Sequence, residues 1–127
     1  MALILLVEDS PTQAFVTARL LERRGHRVLV ARNGQEGVSL AVREKPQLII
    51  MDIVMPDTNG YQATRAITSN PDTAHIPVIM VSTKGQTTDK LWGLRQGAMG
   101  YLTKPLQEAE LLATVDHLLQ QAQPATA

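Results

Sequence analysis

The segment Leu48-Ile49-Ile50-Met51-Asp52-Ile53-Val54-Met55-Pro56 sets the architecture of the chain. Four apolar residues in succession, with no polar alternation, describe a strand buried on both faces. A carboxylate ends that strand at Asp52, and the turn formers from Pro56 to Gly60 follow it. Burial on both faces requires helices on either side of a sheet. Leu3 to Val7 is a second run of the same kind, and it ends at Glu8-Asp9. Arg27 to Ala31, Val78 to Val81 and Tyr101 to Thr103 complete a set of five strands. Helical patterns lie between them. Ser10, Pro11 and Gln13 mark a start as N-cap, first-turn proline and capping-box partner. Ala14, Ala18 and Leu21 form that helix's apolar stripe, and Gly25 fits its end. Asn33 and Glu36 open a second helix with Val38, Ala41 and Val42 inward, stopped by Pro46. A third helix spans Tyr61 to Ser69, and a fourth lies around Thr88 to Gln96, capped by Gly97. The last carries Leu111, Leu112, Val115, Leu118 and Leu119 on one side. This alternation predicts an α/β fold, a parallel sheet with five helices on its two faces.

Composition narrows the function. A chain of 127 residues with 44% hydrophobic and 19% charged residues fits one domain. That domain is expected over residues 1–122, with a short disordered tail over 123–127. The chain has no cysteine, which excludes disulfides and thiolate chemistry. Twelve Lys and Arg balance twelve Asp and Glu, so no net field attracts nucleic acid or an anionic membrane. Four residues in all are Phe, Tyr or Trp, too few for a base-stacking platform. No run approaches membrane-spanning length, and the opening apolar run meets Glu8 and Asp9 at once. A cytoplasmic protein without membrane insertion, nucleic-acid binding or an effector domain is expected.

In an open α/β sheet, ligands bind outside the carboxyl ends of the strands. Glu8 and Asp9 follow the first strand, Asp52 ends the third, Ser82 the fourth and Lys104 the fifth. The topology brings these residues to one rim. Crowded carboxylates repel one another and call for a cation. An oxygen donor set without histidine suits Mg²⁺. An Asp carboxylate is also a nucleophile toward phosphoryl groups, with Lys104 and Ser82 as donors to the phosphoryl oxygens.

These residues, with Gly60, the Val81-Ser82 step and Lys104-Pro105, resemble the CheY-like receivers of response regulators from end to end. The resemblance implies the flavodoxin-like strand order 2-1-3-4-5. It implies Asp52 as phosphoacceptor, and Mg²⁺ held by Glu8, Asp9, Asp52 and the backbone carbonyl of Val54. It further implies Ser82 as the switch hydroxyl, Tyr101 as the rotating aromatic, catalytic Lys104 and a cis Pro105. Such a protein catalyses only its own phosphorylation and dephosphorylation. Its phosphoryl donor is a histidine kinase or phosphotransfer domain docking on the first helix. Its output is a downstream protein binding the face of the fourth helix, fifth strand and fifth helix, around Trp92. The stretch Gln86 to Ala98 is similar to the stand-alone PilH-type regulators of twitching motility, which implies a CheA-like kinase and a type IV pilus pathway. Other roles stay open: a phosphate sink for a sister receiver, or a flavin or nucleotide binder on the same fold.

Individual residues have plainer readings. Asp57 is read as turn chemistry. His26, His75 and His117 are read as solvated surface histidines. Met51, Met55 and Met80 are read as core fillers, and Trp92 as either core cap or partner anchor. Ser82 is expected to face the phosphoryl group in preference to Thr83. Apolar Val54 and cationic Lys84 are expected to slow the loss of phosphate.

Overall fold

The computed structural model describes residues 2–53, 55, 59–83, 91 and 93–122. The expectations for Val54, Pro56, Asp57, Lys84, Trp92 and the 123–127 tail lie outside the described residues. Five strands alternate with helices: β1 (Leu3–Val7), α1 (Pro11–Glu22), β2 (Arg27–Ala31), α2 (Gly34–Glu44), β3 (Leu48–Asp52), α3 (Gly60–Ser69) and β4 (Val78–Ser82). A fourth helix, α4, is represented by residues 91 and 93–95. β5 (Gly100–Thr103) and α5 (Glu108–Ala122) complete the chain. Every pairing is parallel and the order is β2-β1-β3-β4-β5, the CheY-like flavodoxin topology.

The apolar runs became strands because both of their faces are covered. All five residues of β3 and all five of β4 are buried. Side chains alternate across a sheet, so each strand feeds two cores. Ile4, Leu6, Leu48, Ile50, Ile79, Val81 and Leu102 pack toward Ala14 and Leu21 of α1 and Leu111, Val115 and Leu118 of α5. Leu5, Val7, Ile49, Met51, Val78 and Met80 pack toward Ala41 of α2 and Ala63 and Ile67 of α3. Each large aliphatic side chain so buried contributes roughly 1.5–3 kcal/mol.

Local signals act at the helix ends as expected. The Ser10 hydroxyl accepts from the Gln13 amide at 3.3 Å, and Asn33 Oδ1 accepts from the Glu36 amide at 2.8 Å. α1 closes in a Schellman motif around Gly25 (φ 87°), with Gly25 N–H on Glu22 O at 2.9 Å and His26 N–H on Leu21 O at 3.3 Å. Gly97 (φ 101°) closes α4 the same way, through bonds to Leu94 O and Gly93 O. α2 ends differently. Lys45 takes the left-handed conformation (φ 47°), because the following Pro46 disfavours a further right-handed helical residue.

Three expectations need correction. Val42 is 39% exposed and does not face the core; α2 instead lies on the sheet through Gly34, Gly37 and Ala41. Gln13 is no capping-box partner, for the Ser10 amide donates to Glu8 Oε2 at 3.2 Å and the Gln13 side chain is engaged elsewhere. His26 is not a solvated histidine: it is half-buried and its Nδ1 accepts from the Ala2 amide at 3.2 Å. Desolvation lowers its pKa, helped by the positive charges of the amino terminus and Arg24 against an opposing pull from Asp116.

Candidate functional site

The carboxyl ends of the strands place the polar residues. By sheet alternation Glu8, Asp52 and Lys104 continue the side chains that face α1 and α5, whereas Tyr101 and Ser82 have the opposite parity. Lys104 and Ser82 therefore flank the end of β3 from different faces of the sheet.

One carboxylate oxygen from each of Glu8, Asp9 and Asp52 lies within 4.8 Å of the others. Glu8 and Asp52 are buried, and Asp9 is more open. No histidine joins this group, and the all-oxygen donor set fits Mg²⁺, which takes few protein ligands and keeps several waters. Lys104 supplies counter-charge. Its Nζ donates to Glu8 Oε1 at 3.0 Å and lies 3.5 Å from Asp52 Oδ1. Burial pushes the Glu8 carboxyl up, but the bond from Lys104, the Ser10 amide, the Lys104 charge and a bond with Asp52 outweigh it, and its pKa falls below the ordinary 4.5. Mutual repulsion of the carboxylates, expected from the sequence, is thus relieved at Glu8 by Lys104.

Ser82 is 1% exposed at the end of β4, whereas Thr83 is exposed. The Ile53 amide donates to Val81 O at 3.0 Å, and the Lys104 amide to Ser82 O at 2.7 Å. The ends of β3, β4 and β5 are therefore locked in register around Asp52. The Lys104–Pro105 peptide is cis, as the family resemblance implied. Tyr101 is half-buried, its ring turned toward α4: a Cβ added at Gly93 would come within 3.1 Å of the ring and 3.0 Å of Met80 Sδ. Of the residues expected at the site, Glu8, Asp9, Asp52 and Lys104 come together directly. Ser82 adjoins them through the backbone register, Tyr101 lies on β5 three residues before Lys104 with its side chain on the opposite face, and Val54 lies outside the described residues.

Sequence reading missed two neighbours of the site. Gln13 Oε1 accepts from Lys104 Nζ at 2.6 Å. Its place in the first turn of a helix is equally that of a capping residue, so spacing gave no means to separate the two roles. Gly60 was read as a turn former and as part of the family motif, without its contact to the end of β3. A Cβ there would lie 2.5 Å from Asp52 O and 2.6 Å from Ile53 Cα, so the start of α3 stands directly on the end of β3. Beside Lys104 a groove of about 460 Å³ runs between α1 and the loop after β5, with Val16, Leu20, Thr83, Pro105 and Leu106 in its lining.

The family model of the response regulator receiver domain matches residues 4–116. The chain belongs to the response regulator receiver family. This receiver is 56% identical over 119 residues to the protein PilH of Pseudomonas aeruginosa, covering 94% of this chain and 98% of PilH. Among solved structures it is similar to the chemotaxis protein CheY4 of Vibrio cholerae, with a TM-score of 0.87 and 29% identity over 93% of this chain and 98% of that one. The receiver domain of the Pseudomonas aeruginosa sensor histidine kinase PA1611, solved with a magnesium ion coordinated in its active-site cleft, matches at TM-score 0.87 and 32% identity over 94% of this chain and 98% of that one. The receiver is a signalling protein and not a conventional enzyme; membership of the family implies a histidine kinase as its partner and Mg²⁺ at its acidic site. No helix among the described residues is long and apolar enough to cross a membrane.

Proposed function

We propose that this receiver accepts a phosphoryl group on Asp52 from the phosphohistidine of a histidine kinase and so switches the face it offers to a partner. The observation that carries the reading is Lys104 Nζ between Glu8 and Asp52, at the rim where three carboxylate oxygens converge. Glu8, Asp9 and Asp52, with the backbone carbonyl of Val54, would hold Mg²⁺, which when bound neutralises the carboxylates and the phosphoryl oxygens. A carboxylate oxygen of Asp52 attacks phosphorus in line as the bond to the donor imidazole nitrogen breaks, and that nitrogen keeps the electron pair. Lys104 binds one phosphoryl oxygen and the Ser82 hydroxyl donates to another. Both move toward the new charge, and Tyr101 follows into the space beside α4 and β5. The α4-β5-α5 face is the output surface. The groove beside Lys104 and the exposed apolar Phe15 and Val16 of α1 suit a helical donor.

An identity of 56% to PilH, over 94% of this chain and 98% of PilH, supports the narrower reading, a CheA-like kinase as donor and control of type IV pili as output. Intact mass after incubation with acetyl phosphate tests the chemistry. A single phosphoryl adduct is expected on the wild type with Mg²⁺. Its appearance on Asp52→Asn, or on the wild type after metal chelation, would refute the assignment.

A further inference from the structure

Lys104 is bonded more closely to Gln13 and Glu8 than to Asp52. An ammonium has three N–H donors and no acceptor. Among the described residues its shortest contact is to the amide oxygen of Gln13, at 2.6 Å; Glu8 Oε1 follows at 3.0 Å and Asp52 Oδ1 at 3.5 Å. The contact spans two elements remote in sequence, the first turn of α1 and the end of β5. It is also accessible, since Gln13 is exposed and lines the groove beside the site.

We propose that Gln13 is a positioning residue that tethers Lys104 to α1 and thereby restrains the switch before phosphorylation. The proposal rests on the reading of Asp52 as phosphoacceptor. A phosphoryl group on Asp52 offers Lys104 an anionic acceptor stronger than a neutral amide. The tether therefore biases the resting arrangement without blocking the phosphorylated one. Because Gln13 lies in the groove, a protein laid along α1 touches the tether itself. Donor docking and release of Lys104 are then coupled through one side chain, which a small phosphoryl donor does not engage.

Gln13→Met keeps side-chain length and helix propensity while removing the acceptor. The test has two readings on full-length protein. In metal-free protein carrying ¹³C-lysine, the Lys104 ε-methylene signal is expected to move in Gln13→Met. In the presence of Mg²⁺, calorimetric titration with beryllofluoride, a phosphoryl mimic, is expected to show binding about fivefold tighter than wild type, the scale of one ordinary hydrogen bond, since the Gln13 contact is exposed. A merely structural residue on an exposed helix turn moves neither reading. An unchanged Lys104 signal, or equal or weaker beryllofluoride binding by Gln13→Met, overturns the tether. A wild type that binds no beryllofluoride overturns the assignment of Asp52 instead, and shows itself as a different failure.

Discussion

The two faces of the sheet are packed by different means. On the α1/α5 face the space is filled by large side chains: Leu21, Leu111, Val115 and Leu118 meet Ile4, Ile50 and Ile79. On the α2/α3 face Ile67 is buried too, but elsewhere the helices approach the strands through small residues, Gly37, Ala41, Gly60 and Ala63. The helices of the first face have volume to lose, and the close-packed glycines of the second have none to gain. The polar site follows the same division. Lys104, Glu8 and Gln13 form their bonded set beside α1, while Gly60 brings α3 against the backbone of Asp52.

The sharpest break in this comparison is Gly60→Ala. The added Cβ meets backbone, which has no rotamer to retreat into. A loss of about 4 kcal/mol or more is expected in urea unfolding, together with loss of acetyl-phosphate labelling. Near-wild-type stability would show that the end of β3 yields. Leu111→Ala, on the other face, leaves a cavity under a fully buried side chain and should cost about 3 kcal/mol while labelling persists. Gly37→Ala is milder, because its nearest contact is a side chain, Val7 Cγ2 at 2.7 Å. Its cost, about 2 kcal/mol, should shrink in a Val7→Ala background, and simple additivity of the two changes would refute the contact.

Two smaller effects sharpen the contrast. His26 closes the α1 side, and its folded pKa lies below the ordinary 6.5. Between those values the unfolded chain binds more protons, so its contribution is present above about pH 6.5 and is lost as pH falls. His26→Asn, which keeps an acceptor for the Ala2 amide, should flatten that acid-side slope in thermal melts at graded pH. On the α3 side, the Thr64 hydroxyl is fully buried with no hydrogen-bond partner among the described residues. Thr64→Val should be neutral or stabilising by up to about 1 kcal/mol, and a clear loss of melting temperature would reveal a bond formed in solution.

Much of this molecule was legible before folding. Leu3 to Val7, Leu48 to Met51 and Val78 to Val81 are continuous apolar runs, and runs this short between turn formers fit strands covered on both faces. Their order of alternation with capped helices dictated a parallel sheet, and the parallel sheet dictated that Glu8, Asp9, Asp52 and Lys104 meet at one rim. Chemistry at that rim follows from residue type, because carboxylates and an ammonium keep their properties wherever the chain puts them. What the sequence could not state is which neighbour each side chain selects. Gln13 satisfies a capping pattern, yet the rim offers it an ammonium, and a bond to a charge wins over one to a backbone amide. Val42 has the spacing of a core residue, yet the close approach of Gly37 to Val7 fixes the roll of α2 and leaves Val42 outside. His26 is half-buried because α1 ends where the first residues of β1 begin. These choices depend on distances between elements far apart in the chain, and only the tertiary structure sets those distances.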